Sequence, residues 1–118
     1  MTPIIAINKT FPEHLAAVTA EMRTRGAPVL RAIRDEDQGI ILALEGSHRL
    51  VAAKALGLTP ILQILGDDDM ISCEEIGLDD CGTFEGEPAR AADIRDYVAR
   101  PMGTYAGCGE WLRFEGLD

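Results

Sequence analysis

One stretch limits the fold more than any other: Gly39 to Leu65, GIILALEGSHRLVAAKALGLTPILQIL. It opens on Ile40-Ile-Leu-Ala-Leu-Glu45, where both alternating sets of positions are apolar, the pattern of a central strand covered on two faces. Gly46 and Ser47 break that run. Residues 47–57 are rich in alanine and leucine and predict a helix, with Gly57 closing it because a residue without Cβ tolerates the left-handed C-terminal position. Leu58-Thr-Pro-Ile-Leu-Gln-Ile-Leu65 returns to strand composition, with Pro60 near its start. This strand–helix–strand order predicts an α/β fold, a small mixed sheet with packed helices.

The flanking segments extend the same reading. Pro3 to Asn8 has the β-branched content of a short strand. Phe11 to Gly26 predicts a helix: Pro12 suits the first turn, Glu13 the positive N-terminal end, and Gly26 the stop. Leu15, Val18 and Met22 recur on one of its faces. Ala27 to Asp35 predicts a strand, Asp35 to Gly39 a turn, and Gly66 to Asp69 a turn or cap. Beyond residue 70 the pattern thins. Met70 to Leu78 reads as a short helix, Glu87 to Pro101 as a longer one, and the glycine-rich end as a short strand or packing tail. One domain over residues 1–118 is expected, with the motif-bearing part at about 11–65.

Composition narrows the function. The chain has 118 residues, 47% hydrophobic and 26% charged, which suits one globular core. Its longest apolar run is far below the roughly 20 residues of a membrane span. The N-terminus lacks the basic-then-apolar order of a secretory signal. Cys73, Cys81 and Cys108 form no CxxC and no metal-ligand spacing with histidine. Reduced thiols in a cytoplasmic protein are expected. The net charge is −9, from 20 acidic and 11 basic residues. Neutralising phosphates supplies much of a nucleic-acid binder's affinity, so duplex DNA is not an expected partner. The cluster Arg23, Arg25, Arg31, Arg34, Arg49 and Lys54 still allows a local positive pocket.

The break after the apolar run, Glu45-Gly-Ser-His-Arg49, reads two ways. As a helix cap, Gly46 makes the sharp turn and Ser47 is the N-cap, its hydroxyl accepting from a first-turn amide. Capping leaves His48 and Arg49 without a reason, because cations face the positive end of the helix dipole unless an anion is present. As a phosphate site, helix amides and an arginine fork both match phosphate oxygens. Glu45 then stands where a carboxylate serves as base toward a hydroxyl or holds a phosphate-bound metal. Its bland role is a charge pair with Arg49 or Lys54. Asp67, Asp68 and Asp69 read as a solvated turn before a Mg²⁺ site, since consecutive side chains do not converge on one ion. Ser47 lacks an arrangement that would make it a nucleophile. His14 reads as surface or capping, and Tyr105, Trp111 and Phe114 as packing.

From about Phe11 to Leu65 the chain resembles the ParB/sulfiredoxin superfamily. The resemblance rests on a helix followed by GAPVLRAI, LEGSHRLVAAKALGL and PILQIL. It implies a ParB/sulfiredoxin-like fold whose Gly46, Ser47, His48 and Arg49 bind the phosphates of a nucleotide. Sulfiredoxins have GGCHR with a catalytic cysteine where this chain has Ser47, which speaks against their activity. Partition proteins have a GERR-like turn, a further arginine motif and a helix-turn-helix domain, none of them recognisable here. Free-serine kinases of this fold pair an acidic residue with His-Arg, so this turn is similar to theirs and to ParB-like nuclease-type domains. The expectation is therefore a nucleotide or phosphate-ester binding domain, with phosphoryl transfer or hydrolysis as its chemistry and a nucleotide, alone or with Mg²⁺, as cofactor. Glu45 is the catalytic candidate. The alternatives are a non-catalytic module binding a protein partner through its acidic second half and, third, a nuclease.

Overall fold

A computed structural model describes residues 2–72, 88–99 and 111–117. The elements in chain order are β1 (Ile4–Ala6), α1 (Pro12–Arg25), β2 (Val29–Asp35), β3 (Ile40–Ala43), α2 (Ser47–Ala55), β4 (Ile61–Ile64), β5 (Met70–Ser72), β6 (Pro88–Arg90), α3 (Ala91–Ala99) and β7 (Trp111–Leu112). Five strands form a mixed sheet in the order β4-β2-β3-β1-β7, and β5 and β6 pair separately. The fold class is therefore α/β with a mixed sheet, as the strand–helix–strand pattern implied.

The apolar run of β3 is central and buried at all four positions. Its two faces feed two cores. On one, Ile4, Leu30 and Ile41 meet Met22 of α1, Leu50 and Ala53 of α2, and the returning Phe114 and Leu117. On the other, Ile5, Ile33, Leu42 and Leu44 meet Ile71 of β5, Ala89 of β6 and Ile94 of α3. Fully burying one such large side chain stabilises the fold by roughly 1.5–3 kcal/mol. Ala52 and Ala53, both fully buried, let α2 lie close against its neighbours.

The helix ends follow local chemistry. Phe11, extended before Pro12, leads into α1, and Gly26 at φ +82° ends it by donating its N–H to the Met22 carbonyl at 2.8 Å. At the end of α2 the Leu58 N–H bonds the Ala53 carbonyl and the Gly57 N–H the Lys54 carbonyl, a Schellman pair closed by Gly57 at φ +70°.

Two segments differ from expectation. Met70 to Ser72 is a strand, not the start of a helix, because Ile71 enters the core and pairs with Ala89; residues 73–78 of that expected helix lie outside the described residues. The helix expected from Glu87 begins only at Ala91, because Pro88–Arg90 pairs with β5. The first amides of α3 then donate to the turn before β5, Ala91 to the Asp69 carbonyl at 2.8 Å and Ala92 to that of Asp67 at 3.1 Å. No helix among the described residues is long and apolar enough to cross a membrane.

Candidate functional site

Strand directions decide what can meet. β1 and β3 run parallel, β2 runs against β3, and β4 runs with β2. The C-terminal ends of β1 and β3 therefore share one end of the sheet with the N-terminal ends of β2 and β4. The Glu45–Arg49 turn sits there. Asp67, Asp68 and Asp69 follow the other end of β4, so they do not join Glu45 at a common site. Each already has separate work: Asp67 pairs with Arg95 at 3.2 Å, Asp68 with Arg90 at 3.3 Å, and Asp69 accepts the Gly66 N–H at 2.7 Å. Among the described residues no group of three or more metal-ligating side chains converges.

The turn is built from Gly46. Leu44 still pairs with β2, its N–H on the Arg31 carbonyl at 2.9 Å. Gly46 then turns left-handed at φ 70°, ψ 41° and becomes the N-cap of α2. A Cβ there would lie 2.6 Å from Leu30 Cδ2 and 3.0 Å from the Arg49 guanidinium, so only glycine fits without displacement. Ser47 is accordingly the first helical residue rather than the N-cap, a correction of one position. Its buried hydroxyl accepts the Asn8 N–H at 3.0 Å and so ties the end of β1 to α2. A left-handed residue followed by a right-handed one turns successive amides to one side, forming an anion-binding concavity. The first-turn amides of any helix lack partners within the helix and add to it.

Glu45 is clamped. Its carboxylate accepts from Arg31 three times, at 3.1 Å from the backbone N–H, 2.5 Å from Nε and 3.3 Å from Nη2, and Arg49 Nη2 lies 3.5 Å away. Burial pushes its pKa up, but the hydrogen bonds and charge of Arg31, with the charge of Arg49, outweigh burial and hold it below the ordinary carboxylate value. A carboxylate so held is a weak proton acceptor, and its geometry is that of a group positioning two guanidiniums. The expected partner Lys54 is elsewhere, bonded to the Arg113 carbonyl and over the Phe114 ring.

His48 turns toward α1. Its Nε2 accepts the Phe11 N–H at 2.9 Å, its ring stacks on Phe11 with centroids 6.1 Å apart, and His14 meets it edge-on at 4.3 Å. Burial first, then the neighbouring His14, lowers its pKa. A neutral ring accepting at Nε2 carries its proton on Nδ1. His48 is thus not the second cation expected at this helix end. Arg49 remains. Its Nη1 is 3.5 Å from the Val29 carbonyl, and its half-exposed side chain borders a cavity of about 240 Å³ with Met22, Arg25 and Pro28.

Sequence reasoning missed the clamp on Glu45 by Arg31 and the meeting of Phe11 and His14 with His48. Both depend on strand register and helix placement. Of the other singled-out residues, Phe114 is core, Trp111 is exposed on β7, and Tyr105 and the three cysteines lie outside the described residues. No family model, curated protein or solved structure matches this chain.

Proposed function

We propose that the Gly46–Arg49 turn binds a phosphate group of a nucleotide or small phosphate ester, in a domain of ParB/sulfiredoxin-like fold. The observation that carries this reading is Gly46, held left-handed where a Cβ would meet Leu30 at 2.6 Å and the Arg49 guanidinium at 3.0 Å, in front of the amides of α2. Arg31 is engaged with the Glu45 carboxylate, and the half-exposed Arg49 brings its planar fork beside the turn, the geometry suited to an oxyanion. Ser47 acts through the Asn8 tether, and its backbone amide belongs to the cradle. Binding is what this arrangement favours. Transfer or hydrolysis through Glu45 as base would require the carboxylate to leave Arg31.

A thermal-shift screen of ATP, ADP, CTP and GTP, each with and without Mg²⁺, tests the proposal. A ligand present at a hundred times its Kd adds about 2.7 kcal/mol to apparent stability. A rise in Tm with at least one nucleotide, absent in Arg49→Ala, is expected. No rise with any of them at millimolar concentration would overturn the reading.

A further inference from the structure

At the border of the main sheet, β4 pairs with β2 on one side, and among the described residues no strand pairs with it on the other. Its inward bonds show which groups face out. The Ile61 N–H donates to the Pro28 carbonyl and the Leu65 N–H to that of Ala32, each at 2.8 Å. Main-chain groups alternate sides along a strand. Ile61, Gln63 and Leu65 therefore serve β2, while Leu62 and Ile64 turn their N–H and C=O outward. Natural sheets blunt such borders with charges, bulges or proline. Here Pro60 blunts only the start of the border; the strand itself is Ile-Leu-Gln-Ile, without a charge, and Ile61 and Ile64 are 57% and 41% exposed.

The border runs into an acidic groove. At the C-terminal end of β4, Ile64 and Leu65 help to line a cavity of about 850 Å³, shared with the β2–β3 turn and α3. Its carboxylates belong to Asp35, Glu36, Asp37, Asp67 and Asp96, and its cations are Arg34 and Arg95. Arg95 is engaged with Asp67, Asp96 and the Arg34 carbonyl, and Glu36 and Asp37 stand exposed at the rim.

We infer that the β4 border binds an extended segment of another protein. The segment adds as a strand, lays its apolar side chains beside Ile64 on one face of the sheet, and places lysine or arginine on the other face, toward the acidic groove lined by Leu65. Main-chain bonds give such pairing its affinity and side-chain pockets its specificity. Charge selects this occupant over a second copy. β4 brings no cation to the groove of a twin, and two chains of net charge −9 repel.

The test is fluorescence anisotropy with a labelled peptide of alternating valine and lysine, and with the same peptide N-methylated on every backbone amide, so that neither of its edges can pair. Ile64→Pro removes an outward N–H without touching the bonds to β2, so it should fold, as circular dichroism will show. The inference predicts binding of the plain peptide, at least tenfold weaker for Ile64→Pro, for Glu36→Lys with Asp37→Lys, and for the N-methylated peptide. Should Ile64→Pro fail to fold, the N-methylated peptide decides. Equal binding of both peptides would mean charge attraction alone and overturn the inference, as would no binding to the wild type. A concentration-dependent dimer of the wild type in sedimentation, lost in Ile64→Pro, would overturn it in favour of a second copy.

Discussion

At the scale of single residues, Gly46 and His48 carry the sharpest consequences. Gly46→Ala forces a left-handed alanine, which costs about 1–2 kcal/mol, and drives a methyl into Leu30, which adds about 1–3 kcal/mol. Gly39 also has positive φ but open space around it, so Gly39→Ala should lose only the first contribution. Urea unfolding of the two variants should therefore differ by at least about 1 kcal/mol, Gly46→Ala being the weaker. His48 makes stability depend on pH. Its folded-state pKa is below the ordinary value of about 6.5, so the unfolded chain binds the proton more readily. Stability is then full above about pH 6.5 and declines as pH falls through the folded-state value. Glu45, also lowered, adds a second decline below the ordinary carboxylate range. His48→Gln keeps an acceptor for Phe11 and cannot titrate, so its unfolding profile should lose the upper decline and keep the lower. The Gly46 turn was legible in the sequence because glycine before a helical run has few other uses. The role of Ser47 was not, since a left-handed glycine took the cap and moved the hydroxyl toward Asn8. Nor was the contact of His48 with Phe11, which spans 37 residues of chain.

At the scale of elements, β3 and β4 show how far hydrophobic pattern reaches. Both are short apolar runs. Every residue of β3 is buried, whereas β4 is largely exposed. The pattern marked both as strands, but their places in the sheet follow from β4 pairing in parallel with β2, which no local signal announces. Leu42→Ala in β3 should cost about 2–5 kcal/mol by leaving a cavity in a fully covered core. Ile61→Ala should change stability by less than about 1 kcal/mol. Chemical denaturation separates the two, and equal losses would place β4 inside a core. The β5–β6 pair escaped the sequence reading because three-residue strands are too short to show a period, and Ala91 starts α3 only because the Asp67 and Asp69 carbonyls accept its first amides.

At the scale of the whole molecule, charge is divided along the strands. Arg25, Arg31 and Arg49 stand with Glu21 and Glu45 at the end holding the Gly46 turn, while Asp35, Glu36, Asp37, Asp67 and Asp96 outnumber Arg34 and Arg95 at the other. With a net charge of −9, the chain should show no appreciable binding to duplex DNA near physiological salt, and anisotropy titrations with random-sequence duplex check this. On the proposed reading, the Gly46–Arg49 turn in this acidic body takes a compact anion instead. The most direct measurement is calorimetric titration of wild type, Arg49→Ala and Arg49→Lys with the nucleotide that most raises Tm. Loss of one charge-assisted contact, on the order of 1.5–3 kcal/mol, should weaken Arg49→Ala by roughly 10–150-fold. Lysine should restore only part of it, because it keeps the charge and loses the planar fork. Equal affinities in all three proteins would contradict the account and leave the turn a helix cap.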